Sequence, residues 1–172
     1  MFTRRQFAQG GLASLAGFTT ASYLSADKSK AADASPSQKV FPVTKTEEEW
    51  RKVLTPAQFK VLREHGTERA GTSPLNEEHR DGMFRCAGCE QAVYSSKTKF
   101  ESGTGWPSFY EPLKDAIATS VDRSFFSTRT EVHCSNCGGH LGHVFDDGPK
   151  PTGLRYCMNG VAMKFVPGNA NS

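Results

Sequence analysis

The stretch "CSNCGGHLGHVF", from Cys134 to Phe145, opens with two cysteines separated by two residues. A second pair with the same spacing forms "CAGC" at Cys86–Cys89. Each pair places two thiolates close enough to bind one ion, and all four are the ligand set of a closed structural zinc site. The pairs lie farther apart than those of an ordinary zinc ribbon. We therefore predict that they come from separate hairpins and that one zinc ion joins distant parts of the sheet. The predicted ligands are Cys86, Cys89, Cys134 and Cys137.

Glycines accompany both cysteine pairs: Gly88 lies inside the first, and Gly138 and Gly139 follow the second. They favour tight turns around a metal. Two disulfides or a Cys-x-x-Cys redox motif are the alternatives, and disulfides gain weight if the protein is exported. Two matching pairs favour zinc over both. A site with four protein ligands has no open position for a substrate, so the chemistry must lie elsewhere.

From Met83 onward, short runs rich in β-branched and aromatic residues alternate with turn clusters. This spacing predicts a mainly β, antiparallel body. Two helix starts precede it. "TEEE" at residues 46–49 has the capping-box pattern, and "TPAQ" at residues 55–58 repeats it with proline at the first helical position. The second helix is predicted to end near Gly66, a natural C-terminal cap.

The first 34 residues have the order of an export signal. Two arginines precede an uncharged run from Ala8 to Leu24, which is rich in glycine and alanine. This run is short and only mildly apolar for a membrane span, and "TRRQF" is similar to a twin-arginine signal. We expect export to a bacterial periplasm, with cleavage after Ala26 or Ala34. A disordered tail and an uncleaved anchor are the alternatives.

Charge and composition limit the remaining function classes. The formal net charge is +3, and residues 1–34 carry two more basic than acidic side chains, so the body is close to neutral. Without a basic run there is no electrostatic case for nucleic acid. We predict no membrane span in the mature chain, a linker at residues 35–43, one domain at residues 44–167 and a tail at residues 168–172. The chain is expected to be a monomer.

The fifth cysteine, Cys157, lies in "GLRYCMNG" and needs its own explanation. In an extended segment alternate side chains share a face, which groups Arg155, Cys157 and Asn159 and turns the apolar residues between them toward a core. A nearby guanidinium can help to lower the thiol pKa from about 8.5, and an amide can orient water or a polar substrate. The alternative is a small buried hydrophobe, which predicts apolar neighbours on the same face.

Two further motifs contain candidate site residues. His140 and His143 are three residues apart in a glycine-flanked segment, so one turn could present both, and either can donate a proton near neutral pH. Metal binding and surface exposure are the alternatives. In "SGTGWPSF", Gly103 and Gly105 precede Trp106. A tryptophan in such a rigid loop could form a pocket wall, and a core tryptophan at a turn is an equally favoured alternative.

Five segments resemble the methionine-R-sulfoxide reductase B family, in the same order: "LTPAQFKVLREHGTE", "FRCAGC", "SGTGWPSF", "CSNCGGHLGHVFDDGP" and "RYCMNG". The resemblance spans roughly residues 44–167, and several motifs are highly specific. It implies a twisted antiparallel fold, the β-tent, with zinc on the four paired cysteines. It makes Cys157 the nucleophile and identifies as supporting positions Trp106, His140, His143, Arg155 and Asn159.

The reaction consistent with this resemblance begins when the Cys157 thiolate attacks the sulfoxide sulfur. An acid protonates the oxygen, methionine leaves, and Cys157 becomes a sulfenic acid. His143 is the first choice for the acid and His140 the second. Trp106 and Phe145 are the expected substrate contacts, and a fixed thiol, acid and methyl pocket admit one sulfoxide epimer. Family behaviour favours sulfoxides in oxidised proteins or peptides over free methionine sulfoxide.

Two positions depart from the family pattern. Many members have a cysteine between the two glycines of the "SGxGWPSF" motif, where it attacks the sulfenic acid, but this chain has Thr104. With the other cysteines assigned to zinc, we predict that an external thiol reduces Cys157, either a thioredoxin-like protein or a small thiol. The second departure is Gly160, which replaces a common serine and could loosen the loop after Asn159.

The strongest alternative to an enzyme is a zinc-stabilised binding module with a non-catalytic free cysteine. The polar face around Cys157 and the near-neutral body argue against it. A disulfide oxidoreductase that uses one cysteine pair is a further alternative. One tightly bound zinc per chain would exclude it, because ligating thiolates are not free to exchange. A zinc deaminase is excluded because no H-x-E accompanies the cysteine pairs.

Overall fold

The computed structural model describes residues 40–124 and 127–168. The predicted export signal, the first part of the predicted linker and the tail after Gly168 lie outside the described residues. Within the described ranges, no helix combines the length and the hydropathy needed to cross a bilayer.

Two short helices begin the described chain: α1, Glu47–Val53, and α2, Pro56–Leu62. Both start with the predicted capping box. Thr46 and Thr55 each accept a hydrogen bond from the backbone N–H three residues on, and the Glu or Gln at that position returns one to the cap residue. The local pattern therefore determines where each helix starts.

The C-terminal end of α2 differs from the prediction. The helix ends at Leu62, before the predicted end, and His65 rather than Gly66 has a positive φ, 54°. Gly66 instead donates its backbone N–H to the carbonyl of Lys60 at 2.9 Å. A Cβ on Gly66 would lie 2.9 Å from that same oxygen, so this glycine permits a close approach of the backbone.

Nine strands follow within the described ranges and form two antiparallel sheets. Their bounds are β1 Gly82–Cys86, β2 Ala92–Ser95, β3 Lys99–Phe100, β4 Ser108–Phe109, β5 Ile117–Asp122, β6 Arg129–Cys134, β7 His140–Phe145, β8 Arg155–Met158 and β9 Met163–Pro167. The first sheet has the order β2-β1-β9, and the second has the order β3-β4-β8-β7-β6-β5. The predicted mainly β, antiparallel body behind short N-terminal helices is confirmed.

Each cysteine pair lies at the turn of its own hairpin. Cys86 ends β1 and Cys134 ends β6, so the β1–β2 and β6–β7 hairpins carry the two pairs in different sheets. The residue after each pair has a positive φ, 61° at Glu90 and 67° at Gly138. Gly88, for which the sequence suggested a special turn role, does not. The prediction of separate hairpins is confirmed.

An aromatic cluster joins the two sheets. Tyr94 of β2 stacks on Phe109 of β4 with ring centroids 4.3 Å apart, and Phe84 of β1 meets Phe109 edge-on at 4.8 Å. Such aromatic pairs are each worth about 0.5–1.5 kcal/mol beyond their burial. Tyr94 also donates its hydroxyl to Met158 Sδ at 3.2 Å. This contact fixes the face of β8 that points into the core.

The described part of the predicted linker packs against the second cysteine turn. Val43 donates its backbone N–H to the carbonyl of Asn136 at 2.9 Å. The ring of Phe41 lies edge-on to His133 at 5.7 Å and fills the space that a side chain on Gly138 would need. Gly138 is therefore required both for its backbone conformation and for this contact.

Candidate active site

Cys157 lies on β8 between two neighbouring strands. Its cross-strand partners are Ser108 on β4 and His143 on β7. Met158 is fully buried and Tyr156 packs against the core. The predicted division of this segment into an apolar and a polar face is therefore confirmed, and the thiol is on the face away from the core.

A pocket of about 150 Å³ opens beside this thiol. It is lined by Thr67, Trp106, Arg129, Gly142, His143, Phe145, Cys157 and Asn159. Five of the seven predicted catalytic and substrate-binding residues thus meet in one place, whereas His140 and Arg155 are not part of the lining. Cys157 is partly buried, so its sulfur is reachable from the pocket and is also shielded from bulk water.

Burial raises the pKa of the Cys157 thiol, and its neighbours act against that shift. Thr104 has the largest opposing effect, and its Oγ1 lies 3.8 Å from the sulfur. Arg155 and Ser108 also favour the thiolate. The sequence predicted that Arg155 helps to lower the thiol pKa, and Arg155 does act in this direction. Burial outweighs it, so the thiol is protonated at neutral pH.

His143 is held by a carboxylate. Its Nε2 lies 2.8 Å from Oδ2 of Asp122. Burial lowers the pKa of His143, although Asp122 acts in the opposite direction. Hydrogen bonds from Ser124 and His143 keep the pKa of Asp122 below its usual range. Because a carboxylate only accepts, Nε2 carries the proton and the neutral ring has Nδ1 as its basic nitrogen.

His140 lies next to His143, at 5.3 Å between ring centroids, and is only 2% exposed. Its Nδ1 lies 2.7 Å from Oε1 of Glu131, and Nδ1 of His65 lies 2.9 Å from the same oxygen. Burial alone would raise the pKa of Glu131, but hydrogen bonds from His140, His65 and Ser120 hold it below its usual range. The two histidines and Glu131 are close enough to hold a metal, yet their spacing is that of hydrogen bonds.

Asn159 connects the segment after β8 to two other parts of the chain. Its Oδ1 accepts the backbone N–H of Glu68 at 2.8 Å, and its Nδ2 donates to the carbonyl of Leu141 at 3.1 Å. Trp106 donates its indole N–H to the carbonyl of Glu68 at 2.9 Å. Asn159 therefore positions the segment against which the pocket tryptophan is held.

Arg155 forms part of a charged group beside the pocket. Its guanidinium donates to both carboxylate oxygens of Asp147, each at 2.8 Å. It also lies over the Phe145 ring at 4.5 Å from the centroid. This double contact fixes the orientation of Arg155 and holds Phe145 at the pocket wall.

The four paired cysteines form a compact cluster away from Cys157. Their sulfur atoms all lie within 4.8 Å of one another, with Cys86–Cys137 at 3.7 Å and Cys89–Cys134 at 3.5 Å. A tetrahedral ion with bonds of about 2.3 Å places its sulfur ligands about 3.8 Å apart. A disulfide would need about 2.05 Å, and all five cysteines are free. The cluster therefore fits one metal ion bound by four thiolates.

Sequence reasoning missed several residues of this site. Thr67 and Arg129 line the pocket, and Asp122 and Glu131 hold the two histidines. Asp122, Arg129 and Glu131 lie outside the quoted motifs, and Thr67 lies in "LTPAQFKVLREHGTE" but was not singled out there. Strand pairing and loop packing bring these residues to the site. Glu131 could have been identified from the sequence. It lies between the β-branched residues of "TEV" in a predicted strand, where a carboxylate requires a polar partner.

Comparison with known proteins agrees with this geometry. The SelR domain family matches residues 54–167. The peptide methionine sulfoxide reductase MsrB of Agrobacterium fabrum is 52% identical over 126 residues, which cover 73% of this chain and 93% of that protein. This chain belongs to the methionine-R-sulfoxide reductase B family.

Other members of the family are similarly close. The peptide methionine sulfoxide reductase MsrB of Methanosarcina barkeri is 56% identical over 124 residues, covering 72% of this chain and 87% of that protein. The corresponding protein of Leptospira interrogans is 52% identical over 126 residues, covering 73% and 96%. The family membership inferred from the sequence motifs is therefore confirmed.

Proposed function

We propose that this chain reduces the R epimer of methionine sulfoxide in oxidised proteins and that Cys157 is the nucleophile. The position of this thiol is the observation that carries the proposal. It stands apart from the four clustered cysteines and lines a pocket together with His143 and Trp106. The named relatives are peptide methionine sulfoxide reductases, and the same reaction accounts for a thiol and an imidazole beside one small pocket.

The first step consumes one thiol and one sulfoxide and needs no other reactant. The sulfur of Cys157 attacks the sulfoxide sulfur, and a sulfur–sulfur bond forms. The oxygen is then transferred to Cys157, the sulfur–oxygen bond of the sulfoxide and the new sulfur–sulfur bond both break, and Cys157 is left as a sulfenic acid. Cys157 is oxidised by two electrons, and the substrate leaves as methionine. The thiol proton ends on the transferred oxygen, so no external proton is consumed.

His143 is the group that moves this proton. Near neutral pH, burial keeps the ring neutral and the thiol protonated. The basic ring nitrogen accepts the thiol proton and then delivers it to the sulfoxide oxygen as the bond to sulfur breaks. Asp122, bound to the other ring nitrogen, stabilises the transient imidazolium. His140 is the second candidate, because its ring is bound to Glu131 and does not line the pocket.

Trp106 and Phe145 supply the apolar wall for the substrate methyl group. Both line the pocket, and both are oriented from outside it, Trp106 by Glu68 and Phe145 by Arg155. With the thiol, the proton carrier and this wall fixed, one epimer directs its oxygen to His143.

An external thiol completes the cycle. Two thiols reduce the Cys157 sulfenic acid and give one disulfide, one water and the regenerated cysteine. The other four cysteines form the metal-binding cluster. Thr104, whose Oγ1 lies 3.8 Å from the Cys157 sulfur, occupies the position at which many family members have their second cysteine. A thioredoxin-like protein or a small thiol therefore fits as the reductant.

The reductant can be tested by counting thiols. After oxidation with excess substrate, the sulfenic acid is trapped with dimedone in the folded protein, and the metal is then removed under denaturing conditions. We expect one titratable thiol fewer than in the untreated protein. Loss of two thiols, with a disulfide to Cys157 mapped by mass spectrometry, would contradict an external reductant. The Cys157→Ser variant, treated in the same way, should lose none.

We also propose that the cysteine cluster binds one structural zinc ion. Four thiolates at tetrahedral spacing fit zinc and leave no position for a substrate. Metal analysis of the purified protein should find about one zinc per chain, and Cys137→Ser should lower this content. The absence of metal from well-folded, active protein would contradict the assignment.

We further propose that residues 1–34 direct export through the twin-arginine route to a periplasm. The paired arginines and the apolar run that follows support this proposal. The full chain fused to a reporter should appear outside the bacterial inner membrane, and changing both Arg4 and Arg5 to Lys should retain it in the cytoplasm. Unchanged export by that variant would overturn the proposal.

The decisive test of the function is turnover of each sulfoxide epimer, free and within a peptide. We expect reduction of the R epimer, faster in the peptide, and none of the S epimer. Cys157→Ser should lose this turnover while retaining the metal content and melting temperature of the parent. Turnover surviving in Cys157→Ser would refute Cys157 as the nucleophile.

A further inference from the structure

We propose that Ser108, Ser102 and Thr104 form a chain of hydroxyl groups that donates toward the Cys157 sulfur and stabilises its thiolate. The inference deepens the proposed function and rests on Cys157 being its nucleophile. Thr104 contacts the reacting sulfur. Ser108 also favours the thiolate directly, and Ser102, which acts through Thr104, is a positioning residue.

The contacts run in an unbroken line. The hydroxyl oxygen of Ser108 lies 2.8 Å from that of Ser102, which lies 2.8 Å from that of Thr104. Thr104 Oγ1 then lies 3.8 Å from Cys157 Sγ. At its far end, Ser108 can donate to the carbonyl oxygen of Trp106 at 3.1 Å. Four side chains and one carbonyl are thus linked in series.

The number of available protons allows the hydroxyl chain two arrangements of its hydrogen bonds. Each hydroxyl has one proton to donate. When Cys157 is a thiolate it can only accept, so Thr104 donates to sulfur and Ser102 to Thr104, while Ser108 donates to Ser102 or to the sulfur itself. When Cys157 is a thiol it can donate to Thr104, and the direction reverses until Ser108 donates to Trp106. Ionisation of the thiol therefore turns every hydroxyl toward the sulfur, and aligned hydrogen bonds strengthen one another.

The backbone holds the chain in place at both ends. Gly103 and Gly105, on either side of Thr104, have φ of 71° and 90°, a conformation that other residues rarely adopt. Ser108 is fully buried and pairs with Cys157 across the β4–β8 ladder. Because Ser108 is sealed from solvent, its hydroxyl must bond to the partners around it.

Charged groups also surround Cys157 and are common to every variant below. Arg155 lies on the same strand, His143 on β7, and Arg129 on β6 at the edge of the pocket. The hydroxyl chain reaches the Cys157 sulfur from the side of Thr104 and contains only uncharged groups. Its contribution can therefore be separated from theirs by uncharged substitutions.

The test measures the pH dependence of Cys157 alkylation by iodoacetamide in the metal-loaded protein, with modification of Cys157 quantified by mass spectrometry. Thr104→Val keeps the shape of the side chain and removes the donor. Ser102→Ala leaves Thr104 in place and breaks the chain one step away. Thr104→Val should raise the midpoint by roughly half to one pH unit, the effect of one hydrogen bond to the thiolate. Ser102→Ala should raise it by less, because Thr104 can still donate to the sulfur.

Two controls separate donation from packing. Thr104→Ser retains the hydroxyl and should keep the midpoint near the parent value. Thr119→Val makes the same exchange as Thr104→Val at an exposed position of β5 and should leave the midpoint unchanged. Equal shifts in Thr104→Ser and Thr104→Val, or an unchanged midpoint in Ser102→Ala, would overturn the proposal.

This readout does not depend on sulfoxide reduction. A protein that shifts its alkylation midpoint as expected but turns over neither epimer would keep the hydroxyl chain and lose the proposed function. A protein that reduces the R epimer but shows no shift in Ser102→Ala would keep the function and lose the chain. The two failures are therefore distinguishable.

Discussion

Glu131 shows how one residue organises the histidines of this site. Its carboxylate receives His65 and His140 on one oxygen and Ser120 on the other. A buried carboxylate is stable only when its oxygens are paired in this way. The ring of His140 is therefore set by Glu131, and the adjacent ring of His143 is set by Asp122.

Glu131→Gln should lower the free energy of unfolding by about 1–3 kcal/mol at pH 7, because a charged hydrogen-bond acceptor is lost. The folded pKa of Glu131 is depressed, so its stabilisation is present above the ordinary Glu value of about 4.3 and is lost as pH falls below it. The gap between parent and variant in urea unfolding should therefore narrow in acid. Glu64→Gln, at an exposed carboxylate, is the control, and a gap that widens in acid would contradict the role.

Asp122→Asn tests the carboxylate that holds His143. Losing the negative charge removes stabilisation of the imidazolium, so kcat should fall about tenfold to a hundredfold. Asp122 raises the pKa of His143. Where kcat changes with pH because His143 titrates, the midpoint of that change should therefore lie at lower pH in Asp122→Asn than in the parent. Asp115→Asn makes the same exchange at an exposed position outside the pocket lining and should behave like the parent. An unchanged profile in Asp122→Asn would remove Asp122 from the mechanism.

At the scale of elements, the segment after β8 packs closely on a short turn. The backbone of Gly160 is buried, and a Cβ placed there would collide with the side chain of Ser73. Ser73 in turn caps the 3-10 turn Pro74–Glu77. The sequence suggested that Gly160 could loosen the loop after Asn159, but Ser73 fills the space beside it.

Gly160→Ala should therefore destabilise the protein by about 1–3 kcal/mol, the usual cost of overpacking. Adding Ser73→Gly makes room for the new methyl group, so the double variant should lose less stability than the sum of the two single variants. Chemical denaturation of all four proteins measures this coupling. Additive losses would show that the two positions do not compete for the same space.

At the scale of the whole molecule, the cysteine cluster connects the two sheets at the tips of their hairpins. Cys86 and Cys89 come from the β1–β2 hairpin, and Cys134 and Cys137 come from the β6–β7 hairpin. The aromatic cluster of Tyr94, Phe84 and Phe109 joins the same sheets independently. Metal binding therefore adds a second link between two sheets that aromatic packing already joins.

Removal of the metal by a chelator should therefore loosen the hairpin tips first. Amide exchange should accelerate most at Glu90 and Gly138, whose N–H groups bond back across the two cysteine turns, and least at the fully buried Met158. Adding zinc back should restore protection. Equal acceleration throughout the chain would show instead that the metal is required for the entire fold.

The sequence by itself determined the features that depend on nearby residues. Capping boxes act over three residues, and metal-binding turns need two cysteines at fixed spacing, so the helix starts and the cysteine cluster were predictable. Alternation along an extended strand likewise separated Cys157 from the core-facing Met158. The resemblance of the motifs to the family also implied the β-tent fold and the reduction of methionine sulfoxide.

Only the tertiary structure decided which distant groups meet. The contacts of Glu131 with His65 and His140, and of Asp122 with His143, depend on the register of β5, β6 and β7 and on the loop after α2. The hydroxyl chain likewise needs β4 and β8 paired beside the Thr104 turn. The physical reason is that side-chain spacing along one strand follows from local geometry, whereas pairing between strands is set by packing of the whole chain.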